Sequence, residues 1–168
     1  MLWWWKLQFN SPDGATRQRA IDKFTSLLES GDEQHQQKAA TVLATIGHPR
    51  AVRWALEGVT HRDCAESRVR ILEQIIADFP HAMRLESLER IAALDDPLQR
   101  ISTPPVSFGG KHQLANWENY RAVNCSMLRE KAEAELQRRW EAEAQWVKAD
   151  EERQRQPAAL QTVDRRTA

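Results

Sequence analysis

Three side chains of the kinds that bind metals or act as nucleophiles come close together in one predicted turn of this sequence. They are His61, Asp63 and Cys64. A zinc site needs about four such ligands at characteristic spacings, usually with paired cysteines or histidines, and no second pair accompanies these three. We interpret them as turn and capping residues, and we expect the protein to bind no metal and no cofactor.

Cys64 on its own raises the question of nucleophilic catalysis. We predict that it lies in the first turn of a helix, where the helix dipole lowers the pKa of a thiol. Nothing else completes a catalytic site, since the sequence has no HExxH motif and Gly109-Gly110 lacks the lysine and Ser/Thr of a phosphate-binding loop. The sequence therefore predicts a protein that is not an enzyme.

A series of short helices must position these residues, and turn residues mark where each helix begins and ends. Capping serine and aspartate, proline in the first turn, and a closing glycine are typical of helix ends. The predicted ends are Ser11-Pro12 and Gly31 for the first helix, Asp32 and Gly47 for the second, His48-Pro49 for the start of the third, the capping box Asp63–Glu66 and Pro80 for the fourth, and Asp95-Asp96-Pro97 for the end of the fifth. No segment alternates with period two, so we predict no strands.

The second and third predicted helices recur as the fourth and fifth. A shift of 33 residues places an apolar residue on an apolar residue at every predicted core position, and it aligns the turn residues His48 and His81. The aligned core pairs are Ala39 with Leu72, Val42 with Ile75, Leu43 with Ile76, Ile46 with Phe79, Val52 with Leu85, Ala55 with Leu88, and Val59 with Ala92. The two histidines are therefore interpreted as polar turn residues.

The turn Ile46-Gly47-His48-Pro49-Arg50-Ala51-Val52 resembles the inter-helix signature of HEAT-like repeats of the phycobilisome-lyase type. In that family a short helix ends in glycine, a polar residue and proline follow, and an Ala-Val pair begins the second helix. The resemblance covers about residues 11–96. It implies a short α-solenoid of antiparallel helix pairs and, as an alternative function, a lyase-like protein or accessory subunit that binds a bulky apolar ligand.

The whole chain is predicted to be all-α. Its expected segments are a Trp-rich N-terminal segment (1–10), HEAT-like repeats (11–96), a Pro/Gly-rich linker (97–113), one long amphipathic helix (114–156) and a disordered tail (157–168). At 1.5 Å per residue the long helix measures roughly 60 Å, which exceeds the surface that a short helical stack offers. Its distal half should therefore extend past the repeats.

Apolar residues form one band along this long helix, with Leu114, Cys125, Leu136 and Val147 recurring every 11 residues. An amphipathic helix that is longer than its scaffold needs a partner for its distal band. We therefore predict contact with a partner helix, or a homodimer, through Leu136, Trp140, Trp146 and Val147.

A second candidate surface lies on the third helix, away from its buried stripe. It comprises Arg50, Arg53, Trp54 and Glu57, and the corresponding part of the fifth helix carries Arg84, Ser87 and Arg90. Tryptophan flanked by arginine has the composition of a protein-binding hot spot. The alternative is that Trp54 packs on a neighbouring helix.

Trp3, Trp4 and Trp5 form the most unusual segment. They are interpreted as a hydrophobic lid over the first helix, with contact with a membrane interface or docking into a partner as the alternatives. With 24 basic and 24 acidic side chains the chain is neutral, which gives no electrostatic reason to expect a nucleic-acid partner. Two unpaired cysteines and the absence of a signal-like N-terminus favour the cytoplasm.

Together these features predict a non-enzymatic scaffold or adaptor that binds a protein partner through the repeat surface and the projecting helix. The alternatives are a peripheral membrane adaptor anchored by the Trp-rich N-terminus, and the lyase-like or accessory protein that the resemblance implies.

Overall fold

The computed structural model describes residues 7–101 and 119–155, and this part of the chain is mostly helical, as predicted. Trp3, Trp4, Trp5, Leu114 and the predicted tail lie outside the described residues. The helices are α1 (Gly14–Ser30), α2 (Glu33–Ala44), α3 (Pro49–Glu57), α4 (Ala65–Asp78), α5 (Leu85–Ala92) and α6 (Ser126–Arg155), with a 3-10 turn at Pro80–Ala82. The strands are β1 (Leu98–Ile101) and β2 (Asn119–Ala122).

Helix ends are set by short-range hydrogen bonds, most of them at the predicted residues. The carboxylate of Asp32 accepts the backbone N–H of His35 at 2.9 Å and caps α2, and Nδ1 of His48 accepts the N–H of Arg50 at 3.3 Å at the start of α3. The cap of α1 is Asp13, not the predicted Ser11, because the Ser11 hydroxyl accepts the N–H of Asp13 while Asp13 caps Thr16.

The predicted capping box at the start of α4 does not form. Cys64 is the N-cap residue and its side chain makes no capping bond. Asp63 instead pairs with Arg100 of β1 at 3.4 Å, and the backbone N–H of Glu66 donates to the side-chain oxygen of Gln99 at 3.0 Å. A residue distant in sequence therefore satisfies the helix terminus, which a local motif cannot reveal.

The turn between α2 and α3 requires glycine. Gly47 has a φ of 63°, and a Cβ atom there would lie 2.6 Å from Cβ of Phe79. This left-handed backbone conformation favours glycine, and the space beside Phe79 admits no side chain at this position. Gly47 thus allows the end of α4 to pack closely against the α2–α3 turn.

One hydrophobic core runs through the helices, and most of the predicted core positions are in it. Leu43, Leu72, Ile75, Leu88 and Ile91 are completely buried. Two predicted core residues lie outside this core: Ile46 is 38% exposed and Leu85 is 44% exposed. Ile46 follows the end of α2 at Ala44, and Leu85 is the first residue of α5, so neither belongs to a regular helical face.

Helices α1 to α4 pack in order along the chain, each against the next, with further contacts between α1 and α3 and between α2 and α4. The order changes after α4. The predicted repeat pairs α4 with α5, whereas in the structure α4 makes its more extensive contact with α6, which also packs against α5. The long helix is thus part of the core.

Two strands occur where none was predicted. β1 lies in the predicted linker and β2 lies in the predicted long helix, and they pair antiparallel with Leu98 opposite Ala122 and Ile101 opposite Asn119. The backbone N–H of Arg100 also donates to the carbonyl of Arg62 at 2.6 Å. Strands of four residues are too short to show a period in the sequence, and long-range pairing stabilises them.

Because β2 takes up residues 119–122, the long helix begins at Ser126 rather than near residue 114. Its first half is buried at Leu128, Ala132, Glu135 and Leu136. From Trp140 to Arg155 every residue is exposed except the half-buried Asp150. Within the described ranges, no helix combines the length and apolar character needed to cross a membrane.

Candidate functional site

Residues 140–155, here called the distal arm, carry the largest exposed apolar side chains that lie near one another among the residues that the structure describes. Trp140 is 52% exposed, Trp146 is 63% exposed and Val147 is 43% exposed. Trp140 and Val147 lie two helical turns apart on one face, with Trp146 at its edge. Leu136, predicted to belong to the same interaction surface, is buried at 6% exposure and belongs to the core. The apolar band therefore ends its internal packing at Leu136.

An arginine fixes the base of the distal arm. The guanidinium of Arg139 donates to the carbonyl oxygens of Met83 at 2.9 Å and Pro80 at 2.7 Å, and to the carboxylate of Glu135 at 2.7 Å. These carbonyls belong to the turn between α4 and α5. Arg139 thus satisfies backbone groups of that turn and holds the long helix against it.

Glu135 is the acidic partner in this anchor, and its carboxylate also accepts two bonds from Arg138 at 2.7 Å. Hydrogen bonds from Arg138 and then Arg139 lower the pKa of Glu135 from 4.5 to about 2. The side chain is 7% exposed, so the bonds to two guanidinium groups offset the cost of burying its charge. Glu135 is therefore ionised at neutral pH and helps to orient Arg139.

A second anchor lies at the start of α6. The carboxylate of Asp96 accepts the backbone N–H of Cys125 at 3.0 Å and the guanidinium of Arg129 at 2.8 Å, and Arg129 also donates to the carbonyl of Leu94 at 2.8 Å. These bonds lower the pKa of Asp96. Two anchors therefore fix the direction in which the distal arm leaves the core. They lie at Cys125–Arg129 and at Glu135–Arg139.

Four charged side chains of the distal arm pair within the helix. Glu151 pairs with Arg155 at 3.7 Å, and Asp150 lies 3.9 Å from Arg153. Glu143, like Lys148 and Glu152, has no ion pair and no side-chain hydrogen bond among the described residues. An acidic group without a partner therefore lies between Trp140 and Val147.

The predicted surface on α3 is partly used inside the protein. Arg53 pairs with Glu57 at 2.7 Å, and Arg50 pairs with Glu29 of α1. Trp54 is half-buried against the core, and its indole N–H donates to Gln36 at 3.2 Å. Trp54 therefore packs within the protein and contacts Gln36 of α2, as the alternative interpretation expected.

Arg68 explains why Trp54 is held in place. This buried arginine lies 3.6 Å from the centre of the Trp54 ring, donates to the Trp54 carbonyl, and pairs with Glu33 at 3.1 Å. A Cβ at Gly58 would fall 2.2 Å from the Arg68 guanidinium carbon, so the arginine occupies the space that glycine leaves free. No local sequence pattern predicts this cluster, because its side chains come from three separate helices, α2, α3 and α4.

Cys64 touches the same cluster, with its sulfur 3.0 Å from Nε of Arg68 and 3.6 Å from Nδ1 of His61. Burial raises the pKa of the Cys64 thiol, and this effect outweighs the nearby guanidinium. The predicted lowering of its pKa is therefore wrong, because the thiol is buried at the N-cap and not exposed in the first turn. Among the described residues, no group of three His, Cys, Asp or Glu side chains is placed to hold a metal.

The three residues predicted on the fifth helix differ in exposure. Arg84 is the exposed N-cap residue of α5, Ser87 is half-buried and Arg90 is exposed. In the described part of the chain no hydrogen bond or ion pair joins them to Arg53 or Glu57.

A polar groove that the sequence analysis missed lies between α2 and α4, with a volume of about 460 Å³. Gln37 and Thr41 line it from α2, Arg70 and Gln74 from α4, and Gln99 from β1. The repeat offered a signal, because the 33-residue shift that aligns the core also aligns Gln37 with Arg70 and Thr41 with Gln74.

No family model, curated protein or solved structure matches this chain. What the chain does must therefore be inferred from its own surfaces. Of the surfaces in the described part of the chain, the distal arm has the largest exposed apolar side chains and the clearest anchoring.

Proposed function

We propose that this chain is a non-enzymatic scaffold that binds a protein partner along the distal arm. The observation that supports the proposal most directly is the exposure of Trp140, Trp146 and Val147 on a helix whose first half is fixed to the core. Exposed tryptophan is enriched where interfaces concentrate their binding energy. Covering the exposed parts of the two indoles removes roughly 250 Å² from water, worth roughly 6 kcal/mol before the costs of association.

The anchored base makes this surface efficient for binding. A helix of about 16 residues is marginally stable alone in water, because its nucleation is costly. Here residues 126–139 supply the nucleus, and the bonds of Arg139 to Pro80 and Met83 fix its position. A partner that binds the distal arm therefore spends little free energy on ordering it.

The HEAT-like α-solenoid remains part of the proposal for residues 11–96. The ordered packing of α1 to α4, with contacts between α1 and α3 and between α2 and α4, supports it. Arg50, Arg53 and Glu57 would contribute at the edge of the bound partner, because Trp54 between them is engaged by Gln36 and Arg68. A cytoplasmic location fits the two buried free cysteines.

The test is capture of partners from an extract of the cells that make the protein. Trp140→Ser combined with Trp146→Ser removes the apolar contacts without touching a buried residue, and it should reduce the recovery of a stoichiometric partner by more than about tenfold. Lys23→Ala, an exposed change on α1 away from both proposed surfaces, is the control and should leave capture unchanged. Equal recovery with the double variant would show that the partner binds elsewhere.

A further inference from the structure

The face of the distal arm that carries the tryptophans alternates apolar and acidic residues. Trp140, Glu143, Val147 and Asp150 follow one another at spacings of three and four residues, which places all four on one side of the helix. We call this row the seam. A helix that packs along the seam meets an apolar group, a carboxylate, an apolar group and a carboxylate in turn.

A second copy of the chain fits the seam poorly. In a parallel pair of distal arms, Glu143 faces Glu143 and Asp150 faces Asp150, and like charges at facing core positions are destabilising. In the antiparallel pair that overlaps the whole seam, Glu143 packs on Val147 and Asp150 packs on Trp140. That arrangement buries carboxylates against apolar groups. Leu136, which would extend an apolar interface, is already buried in the core.

We infer that the occupant of the seam is a basic amphipathic helix of another protein, which deepens the proposed function and rests on it. Lysine or arginine opposite Glu143 compensates its charge, and another opposite Asp150 adds to the ion pair that Asp150 makes with Arg153. Apolar side chains cover Trp140 and Val147. The aliphatic stems of these basic residues also pack on apolar surface, and their charged ends interact with the ring of Trp146 at the edge of the seam.

The distribution of ion pairs supports this partner chemistry. Arg138 and Arg139, the nearest basic residues before the seam, are both bound to Glu135. The distal arm has three basic residues, Lys148, Arg153 and Arg155. It has five acidic residues, which are Glu141, Glu143, Asp150, Glu151 and Glu152. The arm is therefore net acidic, which repels nucleic acid and anionic lipid and attracts a basic partner.

Two synthetic helical peptides test the inference on the full chain. In both peptides, two of every seven residues face the seam, and one of these two is leucine. The other is lysine in the first peptide and glutamate in the second. Dye-labelled peptide and fluorescence anisotropy give the affinities. We expect the lysine peptide to bind roughly tenfold more tightly than the glutamate peptide, because two facing pairs change from attraction to repulsion.

Charge reversal in the protein supplies the matched comparison. Glu143→Lys combined with Asp150→Lys changes only exposed or half-buried groups, and it should invert the preference between the two peptides by about the same factor. Equal affinity for both peptides, or no binding of either, would overturn the inference. So would a concentration-dependent dimer in sedimentation equilibrium, or flotation of the chain with phosphatidylserine vesicles through the distal arm.

The same variants separate this inference from the proposed function. A cellular partner that is lost with Trp140→Ser/Trp146→Ser but retained with Glu143→Lys/Asp150→Lys leaves the scaffold standing and shows that its partner is not basic. A partner that tolerates both double variants contradicts the binding surface itself.

Discussion

The two halves of α6 have similar composition and opposite surroundings. Residues 126–139 bury Leu128, Ala132 and Leu136 and make bonds to two turns of the core, whereas residues 140–155 bury no side chain. Tryptophan lies in the exposed half and leucine in the buried half. Hydrophobicity alone therefore does not tell which part of an amphipathic helix packs internally.

What separates the halves is the availability of neighbours. The first half runs alongside α4 and α5, and beyond Arg139 the helix has passed the Pro80–Ala82 turn at the end of α4. The apolar band continues after the core has ended. Such continuation is a signal of function when the exposed residues are large and the helix is held from its base.

The sharpest test of this contrast is a pair of truncations, one in each half. Leu128→Ala removes a completely buried side chain and should lower the free energy of unfolding by about 3 kcal/mol, through lost burial and the cavity that remains. Trp146→Ala, a larger truncation in the distal arm, should change it by less than about 0.5 kcal/mol. Urea unfolding followed by circular dichroism measures both. Comparable losses would mean that the distal arm packs on the core.

Acid should weaken the buried half selectively. The folded-state pKa of Glu135 is lowered to about 2, so its stabilising effect is complete above its unfolded pKa of about 4.5 and is lost as the pH falls towards 2. The loss should amount to roughly 2–3 kcal/mol over this window. Glu135→Gln should flatten that part of the pH profile, measured by urea unfolding at each pH. A profile identical to that of the unmodified chain would contradict the assignment.

Release of the anchor should destabilise the protein less than truncation of Leu128. Arg139→Ala removes the donors to the Pro80 and Met83 carbonyls and should cost about 2 kcal/mol. Arg139→Lys restores the charge but not the forked geometry, and it should recover only part of that loss. Hydrogen exchange of the Pro80–Ala82 turn would report the change directly. Unaltered protection in Arg139→Ala would show that other contacts hold the turn.

Much of the helical plan could be predicted from local signals. Residues close in sequence determine the caps of α2 and α3, which are Asp32 and His48, as predicted. The buried residues of α3 also lie at the predicted positions. The exposed distal half of the long helix followed from its length. The surface row of Gln37, Thr41, Arg70 and Gln74 could also have been found by applying the repeat to polar positions.

The features that could not be predicted depend on contacts distant in sequence. β1 and β2 are stabilised by pairing across residues 102–118, and the pairing of Asp63 with Arg100 replaces the expected capping box. The burial of Trp54 depends on Arg68, which comes from another helix. Similarly, no local pattern shows that α6 rather than α5 provides the larger surface against α4.

The bonds between Arg139 and the Pro80–Ala82 turn also have a mechanical consequence. The distal arm extends roughly 24 Å beyond this point, so a tilt of about 10° at its base moves its tip by roughly 4 Å. Because the guanidinium is bonded to the carbonyls of that turn, a force applied to the tip is also transmitted to the junction between α4 and α5. The long helix thus acts as a lever whose fulcrum is Arg139.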